Sequence, residues 1–419
     1  MRHRLGALTI VVAVGLIAGC SGSGGDGASG SGSGGGEKAS GTTASAPEPA
    51  EFTGSDADFY KVPAKLPAGR HGALIRYQEV TGDSAGAATA YRIMYLSRSV
   101  AGDPIAVTGT ALVPTAGAPT GGRRILTIAH GTTGIADTCA PSKNPRMSEL
   151  SLMAPLVGQG YLVAETDYEG LGTPGRHPYL VGVSEGRGVL DAARAATQLP
   201  SADAGDRMAI FGYSQGGHGA LWAGQLAAKW TPELQLVGTV AGAPATEIPV
   251  IFSAASRLPI AGFLYMIIAG FNAAYPDQAK LSEVLTPAGE KALTAVDKGC
   301  AGQVIPRFAG VDSSTLLKPD VATVQPWAKL AADNDPGNVK TDTPILILHS
   351  AADDVVPAAL SEIMFKRMCG LGQTVERRVY HEGLGHGAQV PEAARDGFAW
   401  IQQRFGGQKA RSTCAAGSS

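Results

Sequence analysis

A serine hydroxyl becomes a useful nucleophile only when a base takes its proton and a carboxylate holds that base in place. Ser214 is the residue of this chain best set for such activation. It lies in Gly212-Tyr213-Ser214-Gln215-Gly216, a Gly-x-Ser-x-Gly nucleophile elbow. The apolar run Met208–Phe211 before it reads as a strand, and His218–Leu226 after it as a helix. A chain with 57 glycines can meet that pattern by chance, so the flanking strand and helix give it its weight. A turn this tight strains the serine backbone, and a Cβ at Gly212 or Gly216 would collide with the neighbouring strand and helix. The helix start lies beneath the hydroxyl, where the N–H of Gln215 can meet a developing oxyanion.

After an elbow of this kind the acid and then the base follow in the chain. Four histidines lie beyond the serine: His218, His349, His381 and His386. His218 is too close, inside the elbow helix. His349 ends one strand-like run and His381 adjoins another, so both read as packing residues. His386 stands between Gly385 and Gly387, in a loop able to carry an imidazole over the sheet edge, and is the expected base. The acid should follow the preceding strand, where Asp353 and Asp354 are neighbours. Spacing does not choose between them; one should face the imidazole and the other solvent or a backbone N–H. The second oxyanion donor should come from the loop His130-Gly131-Thr132-Thr133-Gly134. The Thr132 N–H is the candidate there, with its hydroxyl as a further donor.

These groups need a rigid frame, and the chain supplies one. Strands are expected at Thr89–Ser97, Pro104–Pro114, Arg124–His130, Tyr161–Asp167, Leu236–Val240, Pro344–His349 and Val375–Tyr380. Helical segments are expected at Met147–Gly158 and at Ser184–Leu199, the latter opening with Ser184 as N-cap and Glu185 in the first turn. Continuous apolar strands alternating with helices predict an α/β fold with a mostly parallel sheet covered on both faces. Residues 244–340 break the rhythm and read as a helical cap. Within it Leu258–Ala274 carries no charge. At the lower length limit for a membrane helix, and inside the folded domain, it reads as a buried helix lining an acyl-binding tunnel.

The N-terminus reads as an export signal. Arg2 and Arg4 precede an apolar stretch, and Ile17-Ala18-Gly19-Cys20 resembles a bacterial lipobox. Residues 1–19 would be removed and Cys20 would carry the lipid. Residues 20–54, mostly Gly, Ser, Ala and Thr, would form a flexible tether, and 55–419 the folded domain. The chain is 44% hydrophobic and 17% charged, with net charge −2; losing Arg2 and Arg4 leaves about −4. No basic patch suggests nucleic acid. With Cys20 set aside, Cys139, Cys300, Cys369 and Cys414 remain, an even set expected to form two disulfides in an oxidising compartment. None belongs to a Cys/His cluster, so a metal site is not expected.

Several stretches together resemble the secretory lipase family, of the Candida lipase A type, within the α/β-hydrolase superfamily. They are Cys139-Ala140-Pro141-Ser142, Asp167-Tyr168-Glu169-Gly170, the elbow, Ala261-Gly262-Phe263 ahead of Tyr275-Pro276-Asp277, Asp353 with Val355-Val356-Pro357, and the His386 loop. The resemblance spans most of residues 125–414. It implies an α/β-hydrolase fold with an inserted helical cap, Asp353 rather than Asp354 as the acid, and pairings Cys139–Cys300 and Cys369–Cys414. It also implies hydrolysis of acylglycerol or other acyl esters through an acyl-enzyme on Ser214. The expected protein is a monomeric serine hydrolase that needs no cofactor, acts on a small-molecule or lipid ester, and is lipid-anchored on the outer face of a bacterial cell membrane or released from it. The competing readings are an acyltransferase using the same residues and a non-catalytic surface binding lipoprotein.

Overall fold

The computed structural model describes residues 49–80, 86–144, 150, 152, 154–254, 260–318 and 322–414. Cys20, the signal and most of the tether lie outside them. The described strands are β1 (Ala50–Glu51), β2 (Leu74–Val80), β3 (Ala88–Arg98), β4 (Pro104–Pro114), β5 (Arg123–Ala129), β6 (Leu162–Thr166), β7 (Ala204–Tyr213), β8 (Gln235–Gly242), β9 (Ile345–Ser350) and β10 (Val375–Tyr380). They form one sheet in the order β1-β2-β3-β4-β6-β5-β7-β8-β9-β10. The pairs from β2 to β6 are antiparallel, and those from β6 to β10 are parallel. The chain runs from β5 outward to β6 and returns on the other side of β5 as β7. That reversal is a topological switch point, where the loops after β5 and β7 diverge and leave a crevice.

Helices α1 (Asp56–Phe59), α2 (Ala154–Val157), α3 (Gly182–Ala196) and α4 (Gln215–Trp230) precede β8. Between β8 and β9 come α5 (Ile248–Ala254), α6 (Ala261–Ala274), α7 (Leu281–Val284), α8 (Pro287–Lys298), α9 (Ala301–Phe308) and α10 (Trp327–Asp333). Then α11 (Ala358–Gly370) joins β9 to β10, and α12 (Val390–Phe405) follows. Residues of β7 alternate between two cores, as a period of two requires. Met208 and Ile210 pack with α3 and α4, while Ala209, Phe211 and Tyr213 pack with Phe398, Trp400 and Ile401 of α12. This double burial is why β7 is continuously apolar from Met208. The six helices between β8 and β9 hold a separate apolar core built on Leu264, Ile267, Phe271 and Trp327. No helix among the described residues is long and apolar enough to cross a membrane.

Three sequence expectations need revision. Ala50–Glu51 belong to the sheet rather than to a tether: they pair with β2, and Phe52 packs edge-on against Phe59. The composition of the preceding residues hides this, because one aromatic side chain anchors the segment. Ser184 is not an N-cap. Helix α3 begins at Gly182, and the Ser184 hydroxyl donates to Glu169 Oε2 at 2.6 Å. Glu185 does stand in the first turn of α3, as expected, and is fully buried there. Of the helix expected over Met147–Gly158, α2 covers Ala154–Val157, and several earlier positions lie outside the described residues.

The elbow depends on backbone contact. A Cβ on Gly212 would overlap the Gly216 carbonyl, and one on Gly216 would overlap the Ala129 carbonyl at the end of β5. Neither obstacle is a side chain that can turn away. Gly216→Ala is therefore expected to destabilise the protein by roughly 1–3 kcal/mol, as overpacking does. A chemical denaturation midpoint equal to that of wild type would show that the helix does not lie against β5 this closely.

Candidate active site

Ser214 caps α4 with φ 59° and ψ −121°, a conformation that costs a non-glycine residue on the order of 1–3 kcal/mol. Three hydrogen bonds hold it there. Its N–H donates to the Gly242 carbonyl at 2.9 Å, and its carbonyl accepts from His218 and Ala245 N–H, each at 3.2 Å. The side chain is lifted from the end of β7 to where two cavities meet. Gln215, the first residue of α4, has its N–H among those a helix leaves without an internal acceptor.

Asp353 and His386 form the second half of the site. His386 Nδ1 and Asp353 Oδ2 are 2.7 Å apart, and the carboxylate is fully buried. The other carboxylate oxygen, Oδ1, accepts from Val355 N–H at 2.9 Å and Val356 N–H at 2.7 Å. Burial alone would raise this carboxyl's pKa, but donors from His349 and His386 and the backbone outweigh it and hold the group well below the ordinary carboxylate range. Asp354 acts on the backbone instead, its Oδ1 accepting the His386 N–H at 2.8 Å. The loop is fixed further where Tyr213 OH donates to the His386 carbonyl at 2.8 Å and Ser350 Oγ donates to the Leu384 carbonyl. With Nδ1 engaged by Asp353, Nε2 is the ring nitrogen left for the cavity that His386 shares with Ser214.

That cavity, about 600 Å³, is lined by Thr132, Thr133, Ser214, His386 and the Cys139–Cys300 disulfide. The disulfide ties the loop after β5 to the start of α9, and Ala301 N–H donates to the Thr133 carbonyl at 2.8 Å. A second disulfide joins Cys369 to Cys414. A narrower cavity of about 110 Å³ also reaches Ser214. Its walls are apolar, with Ile251, Ile260, Phe263 and Ile267 from the cap opposite Val356 and Leu360. The arrangement presents one hydroxyl between a wide cleft of mixed lining and a narrow apolar one.

Of the residues singled out in the sequence, the structure places Thr132, Ser214 and His386 on one cavity, with Asp353 on the His386 ring and Gln215 next to Ser214; other buried polar residues nearby were not singled out. His349, taken for packing, is fully buried with Nε2 donating to the Val356 carbonyl at 2.8 Å and lying 3.4 Å from Asp353 Oδ2. It is a second donor aimed at the same carboxylate, and its separation of four residues from Asp353 across a strand end was the signal available. His130 is buried and its imidazole is pushed down to about 4 by burial, with Nδ1 at 2.6 Å from the Gly131 carbonyl. His177 and Tyr179 gave no sequence signal, and Glu185 was read only as a first-turn residue; Tyr179 meets the Thr132 side chain, and His177 and Glu185 meet that of Gln215. His381 is exposed.

Comparison with known proteins bears on the family and the fold. Residues 146–413 match the family model described as secretory lipase; the loop His130–Gly134 lies upstream of the match. Lipase A of Moesziomyces aphidis is 25% identical over 350 residues, covering 78% of this chain and 74% of that protein. A protein of Mycobacterium tuberculosis described as a probable inactive lipase is 24% identical over 376 residues, covering 84% and 83%. The fold is that of the crystal structure of Candida antarctica lipase A, with TM-score 0.72 at 22% identity over 83% of this chain and 84% of that one. An α/β-hydrolase sheet, a helical cap and a family match over well more than half of the length lead to one conclusion: the chain belongs to the secretory lipase family.

Proposed function

We propose that this protein hydrolyses carboxylic esters through Ser214, His386 and Asp353. Family membership makes it an ester-hydrolysing enzyme with a lipid ester as substrate; the residue roles are our reading. What carries them is the 2.7 Å contact between Asp353 and His386 Nδ1 beside a cavity lined by both His386 and Ser214. Ser214 Oγ attacks the ester carbonyl while His386 Nε2 takes its proton. The tetrahedral oxyanion is received by the N–H groups of Gln215 and Thr132. The intermediate collapses, His386 returns the proton to the leaving alkoxide, and the alcohol departs. Water attacks the acyl-enzyme by the same route and releases the acid, restoring Ser214. Asp353 keeps the Nδ1–H tautomer and stabilises the imidazolium as it forms. The apolar cleft under the cap fits the acyl chain, and the wider cleft beside the disulfide fits the alcohol portion.

The family and the two disulfides mark the protein as exported. Removal of residues 1–19 and lipidation of Cys20 would hold the monomeric enzyme at the outer membrane face. Support for this is the lipobox-like sequence and the Gly/Ser-rich stretch after it. Cys20→Ala should then move the protein from the membrane fraction to the medium; a membrane-bound variant would assign retention to some other feature.

Two activity measurements test the residue roles. Ser214→Ala should abolish turnover of a p-nitrophenyl ester without lowering the melting temperature. Asp353→Asn should lower kcat on the order of 10⁴-fold, as loss of the correct tautomer does, whereas Asp354→Asn, which keeps an acceptor for the His386 N–H, should stay within about threefold of wild type. Equal losses at the two aspartates would reject the assignment. The pH dependence follows from the same groups. A base must be unprotonated to act, so kcat/KM falls as pH is lowered. Asp353, depressed far below the usual range, stays ionised throughout, and His130 at about 4 stays neutral. The acid limb should therefore follow a single protonation, with a slope of one. A slope of two there would require another titrating group in the mechanism.

A further inference from the structure

Both proposed oxyanion donors belong to residues whose side chains are tied to the same short segment. On one side, Thr132 Oγ1 lies 2.8 Å from Tyr179 OH. On the other, Gln215 Nε2 donates to Glu185 Oε1 at 2.8 Å and to His177 Nε2 at 2.8 Å. All of His177, Tyr179, Glu185 and Gln215 are 2% exposed or less. We propose that His177, Tyr179 and Glu185 are positioning residues for the oxyanion hole: residues 177–185 hold Thr132 from one side and Gln215 from the other, and so set the spacing between the two N–H donors. This rests on the reading of Ser214 as nucleophile and of Thr132 and Gln215 as donors.

The proton positions are consistent around the network. His177 Nδ1 faces the Glu169 carbonyl at 2.8 Å, which can only accept, so Nδ1 carries the proton and Nε2 is free to accept from Gln215. Burial lowers the pKa of this imidazole, which keeps it neutral. Glu185 Oε1 also accepts from Leu180 N–H at 3.0 Å, and Oε2 lies 2.6 Å from His218 Nδ1. His218 Nε2 donates to the Asn334 carbonyl at 2.8 Å. Its Nδ1 must therefore also carry a proton to face a carboxylate, and the pair is an imidazolium with a carboxylate. Burial works against that charge, but the Glu185 carboxylate outweighs it and raises the His218 pKa. Asn334 Oδ1 accepts from Gly182 N–H at 2.9 Å, so the segment is clamped at both ends.

Such a frame has a purpose in this reaction. An oxyanion hole works only when its donors lie about 2.7–3.1 Å from the oxyanion, and an ångström of misplacement costs on the order of a hundredfold. Thr132 stands in a loop fastened to α9 at Thr133 and through the disulfide at Cys139, and the contact with Tyr179 is the one that holds its own side chain. A cluster that served stability alone would leave the transition state untouched when perturbed, and the two roles are separable.

The experiment uses the full chain with Tyr179→Phe, Thr132→Val, the double variant, Glu185→Ala and Glu185→Gln. Three quantities are read: kcat and KM for p-nitrophenyl butyrate, the affinity for butylboronic acid, which forms a tetrahedral adduct on an active serine, and the melting temperature. Tyr179→Phe and Glu185→Ala should each lower kcat by about 10- to 100-fold, with KM within about threefold of wild type and boronic acid affinity falling in step with kcat. Tyr179→Phe and Thr132→Val break the same contact, so their effects should not multiply in the double variant. Glu185→Gln should recover most of the loss, because its carbonyl still accepts from Leu180 and Gln215 and its amide donates to a neutral His218. Unchanged kcat and boronic acid affinity, with or without a drop in melting temperature, would overturn the proposal and leave a structural cluster. If Glu185→Ala does not fold, Tyr179→Phe decides alone, since it removes one hydroxyl and keeps the ring. Failure of the underlying reading would show in the wild type, which would neither turn over the ester nor bind the boronic acid.

Discussion

The whole site hangs on how closely α4 approaches the end of β5. Gly216 sits against the Ala129 carbonyl with no room for a side chain, and Gly212 against the Gly216 carbonyl. That approach forces the left-handed backbone of Ser214, and three backbone hydrogen bonds hold the strained residue in place. It also sets the start of α4 beside the loop that carries Thr132, because that loop begins where β5 ends. A strand, a helix and a loop thus meet within one contact, and Ser214 stands above it next to two candidate donors. The strain is local; the parallel sheet buried on both faces supplies the rigidity that sustains it.

The remaining chemistry is delivered by loops that the sheet alone does not fix. His386 is held by four separate ties: its ring by Asp353, its N–H by Asp354, its carbonyl by Tyr213, and the adjacent Leu384 carbonyl by Ser350. Two neighbouring aspartates divide this work, one acting on the ring and one on the backbone. The donors around Asp353 keep it ionised, as the proposed role of stabilising an imidazolium without taking the proton requires. On the opposite side the Cys139–Cys300 disulfide fastens the loop after β5 to the cap, and the cap in turn forms one wall of the apolar cleft at Ser214. The protein thus encloses Ser214 between a covalently tied wall and a hydrogen-bonded one.

The parts legible in the sequence were those in which local chemistry and fold agree. The elbow announced itself through glycines that only a steric conflict requires. The parallel strands did so through unbroken apolar runs, and β4 matched its expected limits, Pro104–Pro114. The cap was visible as a stretch without strands. Asp353 could be separated from Asp354 only by resemblance, since adjacent carboxylates look alike until a turn points one inward. Other features stayed hidden because long-range contact creates them. Glu185 is a first-turn carboxylate, as its position in the sequence suggests, but nothing in the sequence shows that it is buried against Leu180, Gln215 and His218. Ala50–Phe52 look like the end of a polar tether until Phe52 meets Phe59. The second donor to Asp353, His349, shows in the sequence only as a four-residue separation, which becomes a contact through the turn after β9. Buried polar networks carry no periodicity, and so periodicity could not find them.

Everything proposed for this enzyme requires that the hydroxyl at position 214 alone is activated and that its oxyanion falls between Gln215 and Thr132. A crystal structure of the protein after reaction with an alkyl phosphonate ester tests both parts at once. Phosphorus bonded to Ser214 Oγ, with a phosphonyl oxygen within hydrogen-bond distance of both N–H groups and His386 Nε2 facing Oγ, is the expected outcome. Modification of another residue, or a phosphonyl oxygen turned away from both donors, would contradict the account.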